Sequence, residues 1–154
     1  MKRLAMAALA VSWTLASTQA WAEGATRDEC IAKTKQAVRL IDEKGVDVAI
    51  AQIGDKAGAY VWKDSYVFLM DLDGKMLAHP VSPALVGKNL IDVSDKGTPG
   101  KPVFKEFVQL ARSKGEGWIE YQWPKPGSTA AVKKTSYICR VPGKDLLVGA
   151  GTYE

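Results

Sequence analysis

Three tight turn sequences constrain this chain more than any other feature, because a short turn between two apolar runs returns the second run antiparallel to the first. Asp71-Leu72-Asp73-Gly74 separates Tyr66-Val67-Phe68-Leu69-Met70 from the run over 75–79. Pro124-Lys125-Pro126-Gly127 separates 117–123 from 132–141, and Val141-Pro142-Gly143-Lys144 separates 132–141 from 146–153. Five strands in antiparallel pairs follow. The first is aromatic, β-branched and apolar throughout, the pattern of a strand covered on both faces. Pro80 ends the second, since proline has no N–H to give to a ladder.

Helices are expected around this sheet. Thr26 followed by Glu29 is a capping box, Ile31, Thr34, Val38 and Ile41 recur at helical spacing, and Gly45 is a stop, which together predict a helix over 26–44. A shorter helix is expected over 47–54, and a third from Pro102 to about Lys114 with Phe104, Phe107, Val108 and Ala111 on one face. Residues 81–101, rich in Pro, Gly, Asn and Ser, read as an ordered loop with at most one helical turn; loops this long often wall a pocket. The fold class is therefore α+β, a five-stranded antiparallel sheet with covering helices.

The first 22 residues stand apart. Met1-Lys2-Arg3 is basic, Leu4 to Ala16 is apolar except for Ser12 and Thr14, and Ala20-Trp21-Ala22 is a small-x-small site, the pattern of an export signal cut before Glu23. The expected organisation is a cleaved signal peptide over 1–22 and one domain over 23–154. The apolar run is shorter than the roughly 20 residues that cross a bilayer, so a free periplasmic protein is expected. Losing Lys2 and Arg3 takes the formal net charge from +4 to +2, which does not support nucleic-acid binding. In an oxidising compartment Cys30 and Cys139 are expected to form one disulfide, with two buried free thiols as the alternative.

Little in the chain suggests catalysis. A single histidine, His79, excludes a His-rich metal centre, and the two cysteines lack zinc spacing. Asp71 and Asp73 are explained as turn formers, and Ser82 stands where a calcium loop needs its twelfth-position glutamate. No GxSxG elbow, phosphate loop or dinucleotide fingerprint is present, so neither enzyme activity nor a cofactor is expected. The distinctive feature is aromatic content: Tyr60, Trp62, Tyr66, Phe68, Trp118, Tyr121, Trp123 and Tyr137 lie on or beside the predicted strands. Most read as core. Together with His79 and Lys133-Lys134 they are also the material of a small apolar pocket with a few polar groups. Alternation places Tyr66 with Phe68 on one face, and Leu77 with His79. A hydroxyl, an imidazole and an ammonium converging on one cavity suit a small carboxylate, although a lone histidine reads equally well as a brace for the second strand.

Several blocks in order also resemble a known family. They are Trp62-Lys63-Asp64-Ser65-Tyr66-Val67-Phe68, Asp71-Leu72-Asp73-Gly74-Lys75-Met76-Leu77-Ala78-His79-Pro80, Leu85-Val86-Gly87-Lys88-Asn89, Gly115-Glu116-Gly117-Trp118, Trp123-Pro124-Lys125-Pro126-Gly127 and Val148-Gly149-Ala150-Gly151-Thr152-Tyr153. From about residue 26 to 154 the chain is similar to single Cache domains of the second type. The resemblance implies an extracytoplasmic sensor fold like that of PAS domains, with an N-terminal helix along a central antiparallel sheet. Members commonly form the ligand-binding part of chemoreceptors and sensor kinases, and several bind acetate, propionate, lactate or pyruvate.

Carried across, the family pattern puts the pocket near Tyr66, Phe68 and His79, with the loop after Pro80 and the strand bearing Tyr137 as further walls. Trp62, Trp118, Tyr121 and Lys134 join the candidate set on pocket chemistry. Unlike receptor members, the chain shows no membrane-spanning helix and no signalling domain. The expectation is thus a periplasmic binder of a small organic acid that acts through a membrane sensor kinase or chemoreceptor, with a homodimer through the 26–44 helix left open. The other reading is a protein-interaction subunit that keeps the fold and binds no ligand.

Overall fold

The computed structural model describes residues 23–154; the leader expected over 1–22, with its cleavage site, lies outside the described residues. Helix α1 spans Arg27–Lys44 and begins with the predicted capping box. The Thr26 hydroxyl accepts from the Glu29 N–H at 3.2 Å, and the Glu29 carboxylate accepts from the Thr26 N–H at 2.8 Å. Gly45, at a φ of 88° that favours glycine, ends α1 and starts α2, Val46–Gly54. Helix α3, Val103–Ser113, follows Pro102.

The strands are β1 (Val61–Trp62), β2 (Ser65–Asp71), β3 (Met76–Ala78), β4 (Glu116–Pro124), β5 (Ala131–Arg140) and β6 (Leu146–Tyr153), all antiparallel to their neighbours. The sheet order is β1-β2-β6-β5-β4, with β3 also paired to β2. Strands β1 and β3 share one edge of β2: Val61 faces Tyr66, and Leu69 faces Ala78. The sheet is thus as wide as expected but contains six strands rather than five, because the two-residue β1 is too short to leave a periodic pattern.

Helices cover both faces. One layer is α1 and α2, packed on Val67, Leu69, Val148 and Ala150; the other is α3 with the loop after β3, packed on Tyr66, Phe68, Met70, Tyr121 and Ile138. This sandwich explains why β2 is apolar on every residue from Tyr66 to Met70 and buried on both faces. The loop holds one 3-10 turn, Pro83–Leu85. It is tied back by Asn89, whose amide donates to the Asp73 carbonyl at 2.8 Å. Asp95 pins its far end by accepting from the N–H groups of Gly97, Lys101 and Gln122 at 3.1, 2.9 and 2.7 Å.

The expected Cys30–Cys139 disulfide is not formed: both cysteines are free thiols. They are engaged separately. Cys30 sits under α1 with its sulfur 4.0 Å from the Ser65 hydroxyl, whereas the Cys139 sulfur contacts the Glu116 carboxylate at 3.8 Å. Burial pushes the Cys30 thiol up to about 11 and the Cys139 thiol up as well. Both therefore behave as small core residues.

Candidate functional site

The α3 face of the sheet holds an aromatic cavity. Tyr66 and Phe68 reach it from β2, Tyr121 and Trp123 from β4, Phe104 and Phe107 from α3, and His79 from the end of β3. The rings lock one another: Phe68 stacks on Phe107 at 5.6 Å, Phe107 meets Tyr121 edge-on at 5.3 Å, and Phe104 meets Trp123 edge-on at 5.8 Å. Such pairs add about 0.5–1.5 kcal/mol each beyond burial. The enclosed space is about 10 Å³, close to one water.

His79 is fixed by the turn that follows it. Its Nδ1 accepts from the Ser82 N–H at 2.9 Å, and its ring packs 4.7 Å from Tyr66 and 6.3 Å from Phe68. Burial, assisted by the nearby Lys134 charge, pushes its pKa down to about 3. A neutral imidazole that accepts at Nδ1 carries its proton on Nε2, so His79 is a permanent neutral donor at physiological pH.

Lys134 is the most unusual residue of the structure. It is fully buried, and its Nζ has no hydrogen-bond partner among the described residues. The ammonium packs 4.0 Å from the centre of the Tyr66 ring and 4.7 Å from that of Tyr153. Burial pushes its pKa down to about 7, as expected for a cation with only π-faces to replace its water. The Tyr66 and Tyr153 hydroxyls meet at 3.4 Å, and the Tyr121 hydroxyl pairs with the Ser136 hydroxyl at 3.0 Å. Burial holds the Tyr66 and Tyr121 phenols well above their usual value, so both stay protonated.

Two glycines make room for this arrangement. A Cβ on Gly149 would clash with the tip of the Phe68 ring, 2.3 Å from its Cζ, and one on Gly151 would lie 2.8 Å from Lys134 Cε. Because residues alternate along β6, both glycines face the site while Val148 and Ala150 face α1. The ring tip of Phe68 and the end of the Lys134 side chain thus rest against bare backbone.

Of the sequence-predicted residues, the structure brings Tyr66, Phe68, His79 and Tyr121 together in the cavity wall. Lys134 lies on the same face, but against Tyr66 and Tyr153 rather than in that wall. Trp62, Trp118 and Tyr137 are elsewhere, on the α1 side of the sheet. Trp118 packs on Tyr137 at 5.3 Å under the Arg27 guanidinium, and the Tyr137 hydroxyl donates to Glu116 at 2.5 Å. Trp62 packs with the α1–α2 cluster. Trp123, Phe104 and Phe107 were not in the candidate set. Trp123 could have been found, since strand alternation puts it on the face of Tyr121 and opposite to Trp118.

A second, open cleft adjoins the cavity. It encloses about 480 Å³ and is walled by the loop after β3 on one side and the β4–β5 turn on the other, with Tyr66 and Trp123 common to both spaces. Among the described residues no group of three or more His, Cys, Asp or Glu side chains could hold a metal ion. No helix among them is long and apolar enough to cross a membrane.

The family model described as dCache_2, a Cache domain, matches residues 34–154. The chain belongs to the Cache domain family. This Cache domain is 40% identical over 90 residues to the methyl-accepting chemotaxis protein McpP of Pseudomonas putida, covering 58% of the chain and 16% of that protein. It is 32% identical over 91 residues to the sensor histidine kinase MctS of Rhizobium johnstonii, covering 59% of the chain and 19% of that protein. It therefore spans less than a fifth of either curated relative.

Among solved structures, the Cache chemosensory domain described in terms of carboxylic acid recognition matches with a TM-score of 0.65 and 30% identity, over 79% of this chain and 84% of that one. A periplasmic sensor domain of a chemotaxis protein matches at 0.64 and 29%, over 80% and 86%. A methyl-accepting chemotaxis protein from Vibrio parahaemolyticus matches at 0.68 and 26%, over 82% and 86%. The α+β architecture is that of the Cache sensor domains of chemotaxis proteins. The matched model carries the dCache_2 description, so the comparisons fix the Cache family and not the second-type single subdivision expected from sequence.

Proposed function

We propose that this Cache domain is an exported, periplasmic binder of a small monocarboxylate that passes the signal to a membrane chemoreceptor or sensor kinase, with residues 1–22 as its removed leader. The observation that carries the reading is the buried Lys134 ammonium, which lacks a hydrogen-bonding partner among the described residues and lies beside an aromatic cavity. A carboxylate is the ligand that satisfies such a group, because it brings both countercharge and acceptors. His79, a neutral Nε2 donor, and the protonated phenols of Tyr66 and Tyr121 supply directed hydrogen bonds, and Phe68, Phe104 and Phe107 enclose the short carbon chain. Similarity to the carboxylic acid-recognising Cache domain supports the same ligand class.

The cavity of about 10 Å³ is smaller than acetate, so uptake requires the Tyr66 or Trp123 ring to swing towards the outer cleft. The same tightness favours the second reading, an interaction subunit that retains the fold and binds nothing. A melting-temperature screen with acetate, propionate, lactate and pyruvate separates the two. Ligand at 100 times its Kd adds about 2.7 kcal/mol, a rise of roughly 5–11 °C for a chain of this size. No rise with any acid, or a rise that persists in both His79→Ala and Lys134→Met, contradicts the proposal.

A further inference from the structure

We propose that Trp123 is the partition that sets the chain length of the acid this domain accepts, and that the outer cleft is the vestibule through which the acid arrives. The inference rests on the carboxylate reading of the inner cavity. Two spaces of very different size, about 10 and about 480 Å³, lie side by side. Only Tyr66 and Trp123 border both.

The two rings are not equally free to limit the site. Tyr66 is held by the Lys134 ammonium at 4.0 Å and by the Tyr153 hydroxyl at 3.4 Å. Trp123 packs edge-on against Phe104 at 5.8 Å and tilted against Tyr121 at 6.1 Å, carries Lys96 on its ring, and at 8% exposed against 1% for Tyr66 is the more open of the two to the outer cleft. On the carboxylate reading, an acid drawn to His79 and to the Lys134 side of Tyr66 leaves its tail among the rings of the cavity wall, Trp123 included. Because the cavity of about 10 Å³ is smaller than acetate, the shortest acids already call for a small shift of the indole, and each further methylene must displace it further.

The vestibule suits the approach of an anion. Lys96 and Lys125 both line it. Lys96 Nζ lies 5.8 Å from the Trp123 ring centre and makes no ion pair among the described residues, whereas Lys125 is engaged by Asp64 at 3.7 Å. The free cation at the mouth raises the local concentration of carboxylates and speeds their association. Apolar Val81, Leu85 and Val93 on the opposite wall can receive a carbon chain once the indole is gone.

The test is a calorimetric titration of wild-type protein, Trp123→Ala and Trp123→Leu with the linear acids from acetate to hexanoate. Wild type is expected to bind acetate or propionate at least tenfold more tightly than hexanoate, the scale on which a fixed wall rejects extra methylenes. Trp123→Ala is expected to reverse that order by at least tenfold in favour of pentanoate and hexanoate. Trp123→Leu, which keeps more of the packing with Phe104, shifts the order the same way by less, and thermal melting verifies that each variant folds. Lys96→Glu is expected to slow acetate association several-fold at low salt without altering the order. An unchanged chain-length order in both Trp123 variants, or a wild type that already takes hexanoate as readily as acetate, overturns the partition and leaves the carboxylate reading standing. A wild type that binds no acid at all removes both.

Discussion

Replacing Lys134 with methionine, similar in length and without charge, should stabilise the protein at neutral pH and remove part of its pH dependence. Burial holds the lysine down to about 7 in the folded chain, against an ordinary value of 10.5. Between those values the unfolded chain binds a proton that the folded chain lacks, so stability rises with pH across that window and the penalty is greatest at and below pH 7. Integrated, the penalty is on the order of 4 kcal/mol at pH 7 and about 2 kcal/mol at pH 9. Methionine carries neither penalty and still packs on the rings of Tyr66 and Tyr153. Lys134→Met is thus expected to be about 4 kcal/mol more stable than wild type at pH 7 and about 2 kcal/mol more stable at pH 9. Urea unfolding of both proteins at the two pH values measures this directly. The change of about 2 kcal/mol between them does not depend on the packing terms. A difference between the proteins that is the same at both pH values would refute the buried, deprotonating lysine.

Three further outcomes follow from the geometry. Gly149→Ala drives a methyl to 2.3 Å from the Phe68 Cζ and should cost about 1–3 kcal/mol in denaturant unfolding; an unchanged midpoint would show that Phe68 does not lie on β6. Burial pushes the Asp95 carboxyl up, but the Gln122, Lys101 and Gly97 N–H groups and the Lys101 charge outweigh it and hold the pKa below 3.8. Its contribution is therefore present above that value and lost as pH falls through the folded pKa. Asp95→Ala should lose about 2–3 kcal/mol at pH 7 by orphaning those donors, and progressively less as the solution is acidified below pH 4. Thiol labelling without reductant should find Cys30 and Cys139 unreactive in the folded protein and both titratable once it is unfolded; no free thiols on unfolding would restore the disulfide.

Much of this architecture was written in local chemistry. The capping box of Thr26 and Glu29, the Gly45 stop and Pro102 ahead of α3 act within one turn of the chain, and all three helices lie within a residue or two of expectation. The hairpin turns likewise dictated antiparallel pairing. The site was less legible because it depends on which face each strand turns to which layer. Period-2 alternation contains part of that answer. Once Tyr121 and Lys134 are placed on one face, Trp118 and Tyr137, at odd offsets from them, fall on the other, where α1 covers them. The remaining part is long-range: nothing near Lys134 in sequence indicates that Gly151, on the neighbouring strand, clears the space in which it lies. The disulfide expectation failed for the same reason. Compartment and cysteine count say nothing of two side chains held by different partners, Ser65 and Glu116.

The central claim is that a carboxylate completes Lys134, and proton linkage tests it most directly. Titrating acetate or propionate in buffers of differing ionisation enthalpy gives the number of protons taken up per ligand bound. A carboxylate that restores full charge to a lysine with a pKa of about 7 should draw in about 0.5 proton at pH 7 and close to 1 at pH 8, and Lys134→Met should draw in none. Binding with no proton uptake by the wild type, or the same uptake by the variant, would place the carboxylate away from Lys134 and contradict the account.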